Sequence, residues 1–419
     1  MRATSTVGAV QSDTVPRRMT KQRTLLVLLS SAVIIGISMG VRQANGLLQL
    51  PITGELGVGR EVFGFAIALG FLAFGLAQPF VGIISDRFGA DKVVFAGGLI
   101  YATGLATTSL AGDAFGLYAS LGVLIGLAMA MTTYTIVLAA IARAYPPERR
   151  GFAGGIATAA GSFGMFAFVP ITQWLLSGVG WTVTLYVLAA IALLICLFGL
   201  GLRPPETAGG SASADTQSLG DALREAGGHS GFWLLTIGFF VCGFHVAFIG
   251  THLPAFLQDA EIDPGTAATA FAMIGLVNIV GSLFFGTMGD RFRKKYVLSV
   301  IYLARAFVFA LFLVLPMNGV TAIVLSAAIG FLWLGTVPLT NGVVAQVFGL
   351  KYLSTLAGIV FMSHQIGSFI GAWLGGWVYD ATGNYDTVWI ASIALGLAAA
   401  ALHWPIADAP VARLRPAEG

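Results

Sequence analysis

The chain has 419 residues, 57% of them hydrophobic and only 10% charged, with a mean hydropathy of +0.86. Soluble domains carry about 25% charged residues, so these figures exclude a water-soluble globular enzyme and a disordered chain. Twenty-two Lys and Arg against 19 Asp and Glu leave a formal charge of +3, which supplies no basic surface for a nucleic acid.

A helix crosses a bilayer with about 20 apolar residues. After a polar tail, 1–23, twelve such runs follow: 24–50, 61–85, 92–111, 115–143, 151–176, 181–202, 231–258, 266–289, 295–316, 319–347, 353–379 and 386–405. A polar linker, 203–230, divides them into two bundles, 24–202 and 231–405, and a second tail occupies 406–419. The fold expected is an all-α membrane protein of twelve transmembrane helices in two pseudo-symmetric six-helix bundles. Arg17, Arg18, Lys21 and Arg23 before Leu25–Ile37 imitate a signal peptide, but the apolar run continues past Gly40 without a small-residue cleavage site. It reads as a first span.

Nineteen Lys and Arg fall on the side of the termini, and Arg60 alone falls on the other. The positive-inside rule then puts both termini in the cytoplasm, and the absence of large ectodomains fits a bacterial inner membrane. Two arginines, Arg42 and Arg305, lie within spans, whereas no Asp or Glu does. The membrane interior thus carries positive charge without a carboxylate of its own. The cysteines, Cys196 and Cys242, sit in apolar runs and read as buried thiols.

Two segments repeat. Gly82-Ile-Ile-Ser-Asp86-Arg87-Phe88-Gly89 follows span 2, and Gly286-Thr-Met-Gly-Asp290-Arg291-Phe292-Arg293 follows span 8, at an offset of 204. Leu50-Pro51 and Leu253-Pro254 match at an offset of 203. Duplicated halves flanking a midplane site are a common plan in transporters. Gly82, Asp86 and Arg87, with Gly286, Asp290 and Arg291, are the candidate gating loops: glycine allows close helix approach, and the aspartate can hold a helix end or an arginine across the loop.

Both loops resemble the signature loop of the major facilitator superfamily, and the resemblance extends over 24–405. The first copy departs from it at Ala90-Asp91; the second lacks the later glycine. A narrower likeness comes from Gly40-Val-Arg42-Gln43-Ala-Asn-Gly46, Gly75-Leu-Ala-Gln78-Pro79, Phe331-Leu-Trp333-Leu-Gly335-Thr336-Val-Pro338 and Ser363-His364-Gln365-Ile-Gly367-Ser368. These stretches are similar to the monocarboxylate-porter and oxalate/formate-antiporter branch. The resemblance implies a monomeric carrier of small organic acids.

An arginine in mid-span costs about 2.5–3.5 kcal/mol on insertion scales, so Arg42 is expected to face a cavity. A substrate carboxylate suits its guanidinium fork. His245 precedes Pro254 by nine residues as Arg42 precedes Pro51, which places the two at pseudo-equivalent positions. His364, Tyr134 on span 4 and Trp333 on span 10 complete the candidate substrate site. His252 is expected at a vestibule or gate, and Arg305 in a structural pairing with a neighbouring helix. Thr132, Thr133, Thr135, Thr336, Thr340 and Asn341 offer further polar groups, and Pro79, Pro170 and Pro338 mark bending points. No P-loop, metal-ligand cluster or nucleophile arrangement appears, so neither a cofactor nor an enzymatic reaction is expected. The expected function is alternating-access transport of a monocarboxylate, proton-coupled through histidine or the substrate acid. Anion exchange, a larger metabolite such as a vitamin, an aromatic compound or a drug, and a non-transporting sensor are the alternatives.

Overall fold

The computed structural model describes residues 21–203, 217–349 and 351–414. Most of the expected first tail, residues 204–216 of the linker, residue 350 and the last five residues lie outside that description. The described residues fold into twelve long helices: α1 Lys21–Leu56, α2 Arg60–Phe88, α3 Ala90–Thr108, α4 Ala114–Ala144, α5 147–179, α6 181–199, α7 Ser230–Asp259, α8 Pro264–Arg291, α9 Lys294–Val314, α10 Gly319–Phe348, α11 Leu353–Thr382 and α12 Asp386–His403. They meet the twelve expected spans within a few residues at most ends; α1 runs on past the expected end at 50 to Leu56. Helices α5 and α6 run on through Gly180, whose φ of 76° breaks the helical path where a side chain would be strained. Within the linker a short helix, Leu219–Gly227, is capped by the Ser218 hydroxyl on the Asp221 N–H.

Lipid offers no hydrophobic drive for helix association, so close backbone approach must hold the bundles. In the first half, Gly36 and Gly164 bring α1 against α5; a β-carbon at either would overlap or crowd the other helix's backbone. In the second half, Gly243, Gly367 and Gly371 do the same between α7 and α11.

The duplication is visible atom by atom. Ser38 Oγ meets Thr132 Oγ1 at 3.0 Å in the first half, and Cys242 Sγ meets Thr336 Oγ1 at 3.2 Å in the second. The Tyr101 hydroxyl donates to the Ser38 carbonyl at 3.2 Å, while Arg305 Nη1 reaches Cys242 Sγ at 3.4 Å. Every residue in these pairs is related to its counterpart by the same offset of 204. The offset becomes 203 only beyond the 3-10 turn Asn45–Leu48 that interrupts α1.

This register corrects one expectation. At its depth Arg42 answers to Val246 rather than to His245. One residue along a helix is a rotation of about 100°. His245 therefore turns away from the position that Arg42 occupies, toward its own bundle.

Candidate functional site

Arg42 lies one turn beyond Ser38 on α1 and is partly exposed. Helical side chains lean toward the amino end, which carries the guanidinium back to the level where α4 touches Ser38. It sits over the Phe71 ring, 5.0 Å from the centroid. Tyr101 and Tyr134 are its electrostatic neighbours. Among the described residues it has no ion pair and no hydrogen bond. The Tyr134 hydroxyl and Thr133 Oγ1 are likewise buried without a partner. Arg42 and the unpaired Tyr134 hydroxyl are thus neighbours inside the first half, the hydroxyl lying between Gly161 of α5 and Ile35 of α1.

Helices α4 and α10 are each broken at this depth. In α4 the break is Thr133, which is extended (φ −99°, ψ −170°) between Ile125–Thr132 and Tyr134–Ala144. In α10 it separates Gly319–Phe331 from Thr336–Phe348. Non-helical backbone at membrane depth persists only where the freed groups find partners or line a cavity. The two breaks take different solutions. In α10 the fully buried Arg305 donates to the carbonyls of Leu332 and Trp333. Asn278 Oδ1 of α8 accepts from the Leu334 N–H at 3.0 Å. Trp333, 3% exposed, is part of this sealed break. In α4 the side chain of Thr133, at the N-cap of the second half-helix, makes no capping hydrogen bond.

The two halves meet along α2 and α11. Phe71, under Arg42, offers its carbonyl to Gln365 Nε2 at 3.2 Å. The amide oxygen of Gln365 is therefore left to accept from His364 Nδ1, at 3.0 Å. The His364 ring stacks on Phe361 at 5.4 Å. Arg42 and His364 are thus linked through Phe71 and Gln365 across the interface. A second bridge joins α5 to α8, where Asn278 Nδ2 donates to Ser162 Oγ at 2.9 Å.

At the end away from the termini the halves are locked. Arg60 grips Asp259 with two contacts of 2.5 and 2.7 Å, donates to the Tyr385 hydroxyl at 2.9 Å and lies over the Tyr379 ring at 3.6 Å. The Asp380 carboxylate accepts from the backbone N–H groups of Arg60 and Glu61 at 3.0 and 2.8 Å, so α11 caps the amino end of α2. Trp373 Nε1 donates to Glu61 at 3.0 Å. His252 donates from Nε2 to the Ala372 carbonyl at 2.7 Å and accepts from Gln49 at 3.0 Å. It thereby ties α1, α7 and α11 together.

The family model of the Major Facilitator Superfamily matches residues 26–336 and 258–419. The chain belongs to the major facilitator superfamily. Monocarboxylate transporter 13 of Rattus norvegicus is 27% identical over 381 residues, spanning 89% of this chain and 86% of that one. The MFS-type transporter YhjX of Escherichia coli strain K12 is 26% identical over 354 residues, spanning 83% and 86%. In fold, the chain resembles a bacterial homolog of the human lysosomal transporter Spinster, with a TM-score of 0.73 at 17% identity over 92% and 95% of the two chains. It also resembles the nucleoside transporter NupG, with a TM-score of 0.73 at 18% identity over 90% and 98%. The protein is thus a multi-pass membrane transporter of this superfamily, resembling its monocarboxylate branch.

Fewer contacts between the halves are seen toward the end that bears the termini. The contacts of α2 with α11 continue as far as Phe74 on Phe361, at 5.7 Å, and a β-carbon at Gly82 or Gly358 would meet nothing. Gly286 also faces open space. Arg87, Asp290 and Arg291 are exposed and make no ion pair among the described residues. The side chain of Asp86 lies outside the described atoms. Among the described residues no hydrogen bond or ion pair joins the two candidate gating loops, whereas the distal contacts are made. Next to the second loop, Arg293 pairs with Asp408 and Lys295 Nζ donates to the Ile406 carbonyl at 2.8 Å, so this stretch is anchored to the C-terminal tail of its own half.

His245 is fixed inside the second bundle. Its Nε2 donates to the Ser392 carbonyl of α12 at 2.9 Å, and its ring packs edge-on to Phe309 of α9 at 4.7 Å. The structure does not bring it to Arg42. Arg305 has the neighbouring-helix pairing expected for it. Asn278, Gln365 and the Arg60–Asp259 pair were not singled out as site residues from the sequence. A polar side chain in the middle of span 8 was the available signal for Asn278, and the solitary cation of the far side was the signal for Arg60.

Proposed function

We propose that this transporter moves small monocarboxylates across the cytoplasmic membrane by alternating access, coupled to protons. The observation that carries the reading is Arg42: a mid-membrane guanidinium that no protein carboxylate neutralises, over Phe71 and near the unpaired Tyr134 hydroxyl. A desolvated guanidinium needs an anion, and a carboxylate matches its fork. The names of the monocarboxylate transporter relatives support the same substrate class. Tyr134 contributes a hydroxyl on one side of the site, and His364 and Gln365 face it from the other half. Trp333 contributes by holding the break of α10.

The positive-inside count orients both termini to the cytoplasm of a cell inner membrane, so the state described is inward-facing. Rocking the halves opens the Arg60 lock and brings the two loops together. With no carboxylate in the membrane interior, the coupling proton travels on the substrate acid or on His364. The carrier works as a monomer, since both halves of the site come from one chain.

The test is uptake of labelled lactate, pyruvate and acetate into proteoliposomes, with and without an inward proton gradient. Gradient-driven uptake that disappears in Arg42→Ala is expected. Uptake stimulated only by an internal anion replaces proton coupling with exchange. Acid uptake unchanged in Arg42→Ala, or no uptake of any acid, overturns the carboxylate reading.

A further inference from the structure

We propose that His252 and Gln49, which meet across the two halves beside the Arg60 lock, form a proton-binding site: the lock shuts over an uncharged His252, and its opening lets the imidazole take a proton from the distal side. This rests on the alternating-access reading and is independent of which substrate is carried.

The site is built from three helices and the turn before α12. His252 of α7 is 0% exposed. Its Nε2 lies 2.7 Å from the Ala372 carbonyl of α11. A carbonyl only accepts, so that nitrogen carries a hydrogen and Nδ1 is the atom left to titrate. Nδ1 faces the Gln49 amide of α1 at 3.0 Å and the Tyr385 hydroxyl at 3.4 Å. Tyr385 accepts from Arg60, so its own hydrogen is free to point at Nδ1. Gln49 is also 0% exposed, and the other end of its amide, Oε1, is buried without a partner. No second hydrogen bond therefore fixes the amide. It presents its nitrogen to a neutral imidazole, and by turning over it presents an oxygen to a protonated one.

What the closed lock lacks is a counter-charge, since a turned amide supplies only a dipole. Among the described residues the charged groups around the cluster are Arg60, Asp259, Glu61 and Asp380, and each is engaged. Arg60 and Asp259 hold each other at 2.5 and 2.7 Å. Asp380 accepts two backbone N–H groups of α2, and Glu61 accepts from Trp373. The Tyr379 and Tyr385 rings lie against Arg60. Arg60 is the charged neighbour of His252, and it has the sign of an imidazolium. The ring is also close-packed: a β-carbon on Gly375 of α11 would overlap it, and one on Gly64 of α2 would touch it. Burying an unpaired charge costs far more than burying a neutral imidazole, so shutting the lock expels the proton. When the halves part at this end, Gln49 leaves His252 and water reaches the ring, which then titrates as a free imidazole does, near 6.5. Proton uptake and lock opening are thereby linked, each favouring the other.

The experiment follows the distance between spin labels at Gly112→Cys and Pro316→Cys in the purified full-length protein, without substrate, from pH 7.5 to 5.0. This window stays above the ordinary carboxylate range of about 4. The ratio of distal-open to distal-closed protein is expected to rise about ten-fold from pH 7.5 to 5.5 and about thirty-fold by pH 5.0, as one proton taken up at about 6.5 requires. His252→Gln keeps a donor for the Ala372 carbonyl and cannot titrate, so its ratio is expected to stay level with pH. Gln49→Glu supplies the missing counter-charge. Its lock is expected to shut over a protonated ring, and the response to acid to vanish. A wild-type ratio that is level with pH, in a protein that Arg60→Ala does open, overturns this inference and leaves alternating access standing. A wild-type response retained in His252→Gln overturns it as well. If His252→Gln is open at every pH, Gln49→Glu decides, and a wild-type response retained there overturns the inference. If neither acid nor Arg60→Ala lengthens any distance, the alternating-access reading of the lock fails and this inference falls with it.

Discussion

Replacing Arg60 by alanine should release the distal lock. The substitution removes two charge-assisted contacts to Asp259, of 2.5 and 2.7 Å, one to Tyr385 of 2.9 Å, and the cation–π contact on Tyr379. Hydrogen bonds to charged groups contribute about 1.5–3 kcal/mol each, whereas exposed ion pairs contribute about 0–1. Arg60 is 11% and Asp259 31% exposed at their side chains, so the cluster sits between these limits. A discounted sum of about 2–3 kcal/mol is reasonable. Such a loss shifts the balance between distal-closed and distal-open states by about 30- to 150-fold, enough to bring a population of about 99 to 1 near parity. The assay is double electron–electron resonance between spin labels at Gly112→Cys and Pro316→Cys, on the distal loops of the two halves. Cys196 and Cys242 are buried, so the labels report the new sites. The expected result is a new, longer distance population in Arg60→Ala, and a smaller one in Asp259→Asn. Distance distributions unchanged in both variants would refute the argument that this cluster holds the distal side shut.

Three further outcomes follow from the same geometry. Arg42→Ala should fold with a melting temperature equal to or above wild type, because it removes a mid-membrane charge costing about 2.5–3.5 kcal/mol that no protein carboxylate balances and that only the Phe71 ring contacts; a marked fall in melting temperature counts against an open ligand site. Arg305→Met should do the opposite, lowering the detergent melting temperature through loss of about 3–5 kcal/mol as the Leu332 and Trp333 carbonyls lose their donor; an unchanged melting curve removes the structural role given to this arginine. The Arg293 guanidinium holds the Asp408 carboxyl below the usual carboxylate range. Its folded value is depressed, so its stabilisation is present above the unfolded pKa of about 3.9 and is lost as pH falls through the folded value. Wild type should therefore melt above Asp408→Asn at pH 7, and the gap should close below about pH 4; a gap independent of pH contradicts the ion pair.

The sequence by itself determined the class of molecule. Apolar run length fixed the twelve crossings because a bilayer has a fixed thickness. The basic loops supplied the expected orientation, and the repeated loops revealed the duplication. Arg42 stood out because a charge without a counter-charge in lipid is costly wherever its side chain points. What remained hidden was angular and long-range. Whether His245 shares the face of Arg42 depends on one residue of register, and a 3-10 turn past Arg42 marks where that register changes. The breaks in α4 and α10 lie in apolar stretches that read as continuous helix, because helix breaking there is set by which neighbour satisfies the freed backbone. Arg305 and Asn278 settle that for α10 from 27 and 56 residues away. The distal lock joins Arg60 to Asp259 and Asp380, 199 and 320 residues distant. Only tertiary structure decides such contacts, since their energy comes from two surfaces meeting and neither segment carries a trace of the other.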